Sequence, residues 1–259
     1  MKRNFTLFFL FAKNALATTS QGRTGIVLLL LGKIIRFIFL FFLLFFIFQR
    51  TQFLKGYSFS QAALFYLVFN LIDTLSQVLF REVYRFRYLV TTGGLDMVLL
   101  KPYHPFLRIL LGGVDLLDLI LIVPYLILTV IAAHSIATTP VQIFIFILLF
   151  LNAIWIATSF HIIVLALGIL TTEVDHTILI YRDMTSLGRF PMDIYKEPIK
   201  SFFTFIIPVA VMMSYPVQAL VGKLSLPFTG LAFVLSSSIC FGALKLWSVA
   251  LEKYQSWGG

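Results

Sequence analysis

Six runs of apolar residues recur along this chain at helical length: Ile26 to Phe48, Phe59 to Phe80, Leu116 to Ala133, Val141 to Leu170, Phe202 to Val221 and Leu226 to Val249. A hydrocarbon core of about 30 Å takes roughly 20 helical residues to cross, so each run predicts a membrane-spanning helix. The third is the least regular, because Asp115 and Asp118 crowd its start and Pro124 interrupts it. The fourth is the longest. As a straight helix it would measure about 45 Å, so it is expected to tilt or to continue into water. Pro208, Pro216 and Pro227 break the fifth and sixth runs, and Pro216 to Leu224 reads as a short re-entrant element.

Between the second and third runs lies a 33-residue loop, Arg81 to Gly113, with five Lys/Arg against two acidic residues. Within it Gly94 to Lys101 places Leu95, Val98 and Leu99 at one-face helical spacing before Pro102 stops the helix. This pattern predicts a short docking helix at the membrane surface, with Leu95, Asp96, Val98, Leu99, Leu100 and Lys101 as its partner-contact residues. At the N-terminus, Lys2-Arg3 followed by Phe5 to Ala12 and Ala15-Leu16-Ala17 superficially resembles a signal peptide, but Lys13 and Asn14 interrupt the run early. Phe5, Phe8, Phe9, Ala12 and Leu16 instead line one helical face, which suits an amphipathic helix lying in the interface.

Composition sharpens this picture. Hydrophobic residues make up 60% of the 259 residues, charged residues 12%, and mean hydropathy is +0.98. A soluble domain cannot hide that much apolar surface. Lys and Arg concentrate in cytoplasmic loops near the membrane. With both termini inside, fourteen of the twenty basic residues fall on the cytoplasmic side, among them Arg182, Arg189, Lys196 and Lys200 in a second segment, Thr171 to Lys200. Arg50, Lys55 and Lys223 fall outside, and Lys33, Arg36 and Lys245 are taken to snorkel from near span ends. The net charge of +9 thus reads as topology and anionic-lipid contact, not nucleic-acid binding. The single cysteine, Cys240, excludes an internal disulfide.

Catalytic constellations are incomplete. Gly25 to Ile34 mimics a phosphate-binding loop, but six residues separate Gly25 from Gly32 where four are needed, and Ile34 stands where a Ser/Thr must hold magnesium. Glu173, Asp175 and His176 form neither a metal-binding helix motif nor a Cys/His cluster, and read as a polar loop edge. Asp115 and Asp118 lack the second acidic pair that a metal-dependent lipid-phosphate enzyme needs, so capping or pairing with Arg108 is expected of them. Ser159 and His161 have no hydrolase context and read as packing or cavity-lining residues. Asn70 and Asp73, near the middle of the second span, are the candidates for a transport path, with an interhelical hydrogen bond or ion pair as the alternative. The 29 phenylalanines, dense from Phe37 to Phe48, read as lipid-facing bulk or as a hydrophobic substrate path.

Several strings together resemble the ABC-2 type permease family of bacterial ABC transporters, including its viologen-exporter-like branch. They are Arg85-Phe86-Arg87, Gly94-Leu95-Asp96, Leu99-Leu100-Lys101-Pro102, Pro105, Arg108, Gly112-Gly113 and Asp115. Further on come Gly188-Arg189-Phe190-Pro191 with Ile194-Tyr195, Ile207-Pro208 and Tyr215-Pro216. The resemblance implies the permease subunit of an exporter in the cell inner membrane. It implies pairing with a second permease chain, and ATP and magnesium held on a separate ATPase subunit that receives a coupling helix. No cofactor is then expected on this chain, and no enzymatic activity of its own. The expected architecture is an all-α membrane protein: an interfacial helix over residues 1–25, six transmembrane helices over 26–250 with the coupling loop at 81–113, and a cytoplasmic tail at 251–259. A partner-independent secondary transporter or channel is the alternative, and a lipid-directed membrane enzyme a third. The substrate class implied is hydrophobic or amphiphilic: drugs, organic cations or lipids.

Overall fold

A computed structural model describes residues 2–19, 23–51, 54–136 and 138–256. Its helices are α1 (Lys2–Thr19), α2 (Arg23–Arg50), α3 (Phe59–Phe80), α4 (Phe86–Thr91), α5 (Gly94–Leu99), α6 (Phe106–Ile109), α7 (Leu116–His134), α8 (Pro140–Thr171) and α9 (Val174–Ser186). A sharply bent pair follows, α10 (Ile199–Ile206) and α11 (Ala210–Leu220), and then α12 (Leu226–Glu252). Among the described residues five helices are long and apolar enough to cross a membrane, or six if the bent pair is one crossing. The protein is an all-α membrane protein, and no β-sheet occurs among the described residues.

Local chemistry sets where these helices begin. Ser58 caps α3 and Thr139 caps α8, each reciprocated by the glutamine three residues on, Gln61 and Gln142. Pro140 and Pro227 occupy first-turn positions, where a missing N–H costs nothing. The apparent phosphate loop dissolves here, since Gly25 and Gly32 lie inside the unbroken helix α2.

The core is built around α3, which is buried nearly all round, and around the seam between α8 and α12. Small residues let that seam close: Ala153 and Ala157 on one side, Ala232, Ser236 and Ala243 on the other, all buried. Within it the Ser236 hydroxyl donates to Asn152 Oδ1 at 2.6 Å. By contrast α2 exposes most of its surface and holds the bundle through one stripe that includes Lys33, Phe37, Phe41 and Leu44.

The bundle has two ends, separated by the roughly 33 Å length of the 22-residue α3. At one end lie residues 81–113; at the other lies the α2–α3 turn, with Tyr57. The chain after α8 changes the expected topology. Val174 starts at the loop end, packed where a side chain on Gly168 would meet it and Phe86. Yet Asp193 accepts a hydrogen bond from the Tyr57 hydroxyl at 2.7 Å, at the opposite end. Residues 174–193 therefore traverse the bundle, too polar to register as an apolar run. The bent pair both leaves from and returns to the Tyr57 end: Lys200 Nζ reaches Asp193 at 2.7 Å, and Lys223 Nζ reaches the Gly56 carbonyl at 2.7 Å. Its two arms are bent by 83° across the break at Pro208. The fifth apolar run is thus a re-entrant hairpin, longer than the expected Pro216 to Leu224 element, and the fifth crossing is the polar segment before it. Pro216 does not end its arm, but lies buried in the first turn of the arm's α-helical part, just after the π-helical stretch Ala210–Ser214.

Candidate functional site

Helix α5 sits where the sequence places a docking helix, started by Gly93 in a left-handed conformation (φ 70°). Its apolar face, however, turns inward. Leu95 and Val98 are buried and Leu99 packs on the same core. What the helix and its exit offer outward is Met97, 68% exposed, Leu100, 80% exposed, and Lys101. The 3.6-residue period correctly marks a buried stripe, but a six-residue helix must spend that stripe on its own anchorage, leaving the opposite face exposed. Asp96 faces the C-terminal tail, where it accepts a hydrogen bond from the Ser256 hydroxyl. The Tyr254 hydroxyl beside it is pushed up to about 12 by burial and by Asp96.

Ion pairs between buried carboxylates and half-exposed arginines clamp this loop to the spans. Glu82 is 3% exposed and receives Arg108 in a short hydrogen-bonded pair, with Arg85 at 3.7 Å. A side-chain carbon on Gly113 would lie 2.6 Å from the Glu82 carboxylate, so a larger residue there would have to push that carboxylate off its place beside Arg108. Asp115 caps α7 by accepting from the backbone N–H groups of Leu117 and Asp118, and pairs with Arg81 at 3.1 Å. The expected capping role of Asp115 holds, while the Arg108 partner is Glu82. Sequence reasoning missed Glu82, although an acid set among Arg81, Arg85 and Arg87 is a visible signal. On α1, Phe11 meets Tyr103 at 6.2 Å and takes the Arg108 guanidinium over its ring; Phe5 and Phe9 stay exposed.

A second feature lies at mid-bundle. Asn70 and Asp73 line a cavity of about 290 Å³ enclosed by α2, α3, α7 and the crossing segment 174–193. The Asn70 amide donates back to the Tyr66 carbonyl at 2.6 Å within α3, and the residue lies on the cavity wall. The cavity also gathers Lys33, Arg36, Arg81, Arg182 and Arg189. Arg36 is the fourteenth residue of the 28-residue α2, far from either span end, which corrects the snorkelling assignment. Lys33 ion-pairs with Asp118 at 2.6 Å across to α7, and Arg189 lies over the Phe69 ring at 5.3 Å. Phe37 stacks on Tyr66 and meets Tyr125, with centroids 5.2 and 5.1 Å away, forming an aromatic wall on the side of the cavity toward the Tyr57 end.

A family model described as ABC-2 family transporter protein matches residues 34–258. The chain belongs to the ABC-2 transporter family. This ABC-2 chain is a transmembrane component of an ABC transporter, and the family in general works as a dimer with an ABC ATPase. No curated protein and no solved structure matches it.

The remaining candidates resolve into packing. His161 is buried with Nδ1 2.7 Å from the Ala157 carbonyl and its ring between Phe80 and Tyr181, and the Ser159 hydroxyl donates to the Trp155 carbonyl. His176 pairs with Glu173, and Asp175 with Arg87 at 3.0 Å. Among the described residues no cluster of three or more metal-ligating side chains forms.

Proposed function

We propose that this chain is the membrane half of an ATP-driven exporter: it pairs with a second permease chain, docks a separate ATPase through α5, and moves a hydrophobic or amphiphilic substrate out of the cytoplasm. ATP and magnesium belong to that ATPase. The observation that carries this reading is the bracing of α5. A docking helix transmits force only if it is rigidly joined to the spans. Here Glu82–Arg108 and Arg81–Asp115 tie the end of α3 to the start of α7, and Leu95 and Val98 root α5 in the core they share. Closure of a partner against Met97, Leu100 and Lys101 then tilts α3 and α7 together.

Charge supports the orientation. With residues 174–193 taken as a crossing, ten basic residues remain at the end that holds the 81–113 loop and the termini, against five at the Tyr57 end. The loop end is then cytoplasmic, both termini are inside, and α1 lies in the inner interface. Changing Met97 and Leu100 together to Asp is expected to reduce co-purification of the ATPase subunit at least tenfold while the permease still inserts. Equal retention of the ATPase would overturn the docking assignment. Leu95→Asp is expected instead to lower the folded yield, because it places a charge in the core. A partner-independent secondary transporter, the competing reading, predicts transport along an ion gradient without ATP and its loss on Asp73→Asn.

A further inference from the structure

The mid-bundle cavity has an unbalanced charge inventory. Five cationic side chains line it, Lys33, Arg36, Arg81, Arg182 and Arg189, against three carboxylates, Asp73, Asp115 and Asp118. Two of those carboxylates are already spent in direct pairs, Lys33–Asp118 at 2.6 Å and Arg81–Asp115 at 3.1 Å. That leaves Arg36, Arg182 and Arg189 around Asp73 alone, with no ion pair within 4 Å for any of the four among the described residues. Three guanidiniums and one carboxylate at mid-bundle make a net excess of two positive charges. An ionisable group held inside a membrane faces a partner charge, a wet cavity or a ligand, and guanidinium is the side chain best suited to a planar or tetrahedral oxyanion.

The surroundings define what such an anion is attached to. The cavity's volume, about 290 Å³, is at the small end of the range of about 300–1,000 Å³ for ligand pockets, enough for a head group and not for a whole amphiphile. Phe37, on its wall, is shared with a second hollow of about 360 Å³ nearer the Tyr57 end. That hollow runs between α2, α3 and α7 and is apolar, walled by Phe41, Phe59, Leu67, Leu128 and Ile131. A charged chamber and an apolar slot meeting at one aromatic side chain match the two halves of a single amphiphile.

We infer that the transported substrate is an anionic amphiphile, its phosphate- or carboxylate-like head held by Arg36, Arg182 and Arg189 and its tail lying beyond Phe37. This rests on the exporter reading and narrows it: an organic cation is disfavoured by the excess positive charge. Asp73 then acts as the counter-charge that keeps the empty chamber from being too positive and weakens the hold on the head group enough for release.

The test is equilibrium binding to the full chain in nanodiscs of phosphatidylcholine, without nucleotide, using monododecyl phosphate, dodecyltrimethylammonium and inorganic phosphate as probes. Monododecyl phosphate is expected to bind at least tenfold more tightly than either of the others. Arg36→Gln and Arg189→Gln are each expected to weaken it about tenfold, with Arg189→Lys recovering part of the loss and Arg50→Gln, far from the cavity, leaving it unchanged. Asp73→Asn is expected to tighten binding, a gain that a misfolded variant does not produce. Tighter binding of dodecyltrimethylammonium, equal binding of inorganic phosphate, or loss of monododecyl phosphate binding in Asp73→Asn overturns the inference. Because binding is read without an ATPase, its failure is separable from a failure of α5 docking, which the co-purification experiment reads independently.

Discussion

Glu82 is the residue on which the 81–113 loop turns. Its carboxylate is enclosed and satisfied by Arg108 and Arg85, and Gly113 supplies the room it occupies. Hydrogen bonds to charged groups contribute about 1.5–3 kcal/mol, so Glu82→Gln is expected to lower stability by about 2 kcal/mol, measured by thermal unfolding in detergent. Gly113→Ala should have a similar effect, since Glu82 cannot retreat without releasing Arg108. If neither variant shifts the unfolding temperature, the clamp is not what braces α5. At this scale the sequence was only partly legible. Asp115 announces itself as a cap by preceding an apolar run, whereas the partner of Arg108 is chosen by three-dimensional approach across 26 positions and no local pattern encodes it. Leu95 and Leu99 show the same limit: spacing identifies a face, but not which way that face is turned.

Among elements, the re-entrant pair α10–α11 departs furthest from its hydrophobic pattern. It is pinned at both feet to the α2–α3 turn. Asp193 gathers hydrogen bonds from Lys200, Tyr57 and Gln218, and Lys223 bonds Gly56 while lying 3.7 Å from the Tyr57 ring centroid. Asp193→Asn, which removes the charged acceptor of these bonds, is expected to lower hydrogen-exchange protection in residues 199–220 at neutral pH; unchanged protection would show that the feet are held by something else. Hydropathy cannot distinguish a hairpin that enters and returns from a helix that crosses, because both are apolar over the same length. The true crossing escaped notice for the converse reason: Arg182 and Arg189 face a polar chamber, so the segment carries charge where an isolated span would not.

For the whole molecule the family, the all-α class and the five long apolar helices were legible in the sequence, because each rests on composition or on runs longer than any loop. The order of crossings was not, and it has a direct test. In a Cys240→Ser background, a membrane-impermeant thiol reagent applied to intact cells is expected to label Lys196→Cys but not Leu100→Cys. Protection of both positions would return residues 174–200 to the cytoplasmic side. The contact between the C-terminal tail and α5 bears on how this protein is handled at the bench. With Ser256 bonded to Asp96, the tail is held beside the surface left open by Met97 and Leu100. On the docking proposed for α5, a bulky handle attached to the tail would compete with the subunit it is meant to recover, and the tag belongs in the Tyr57-end loops instead.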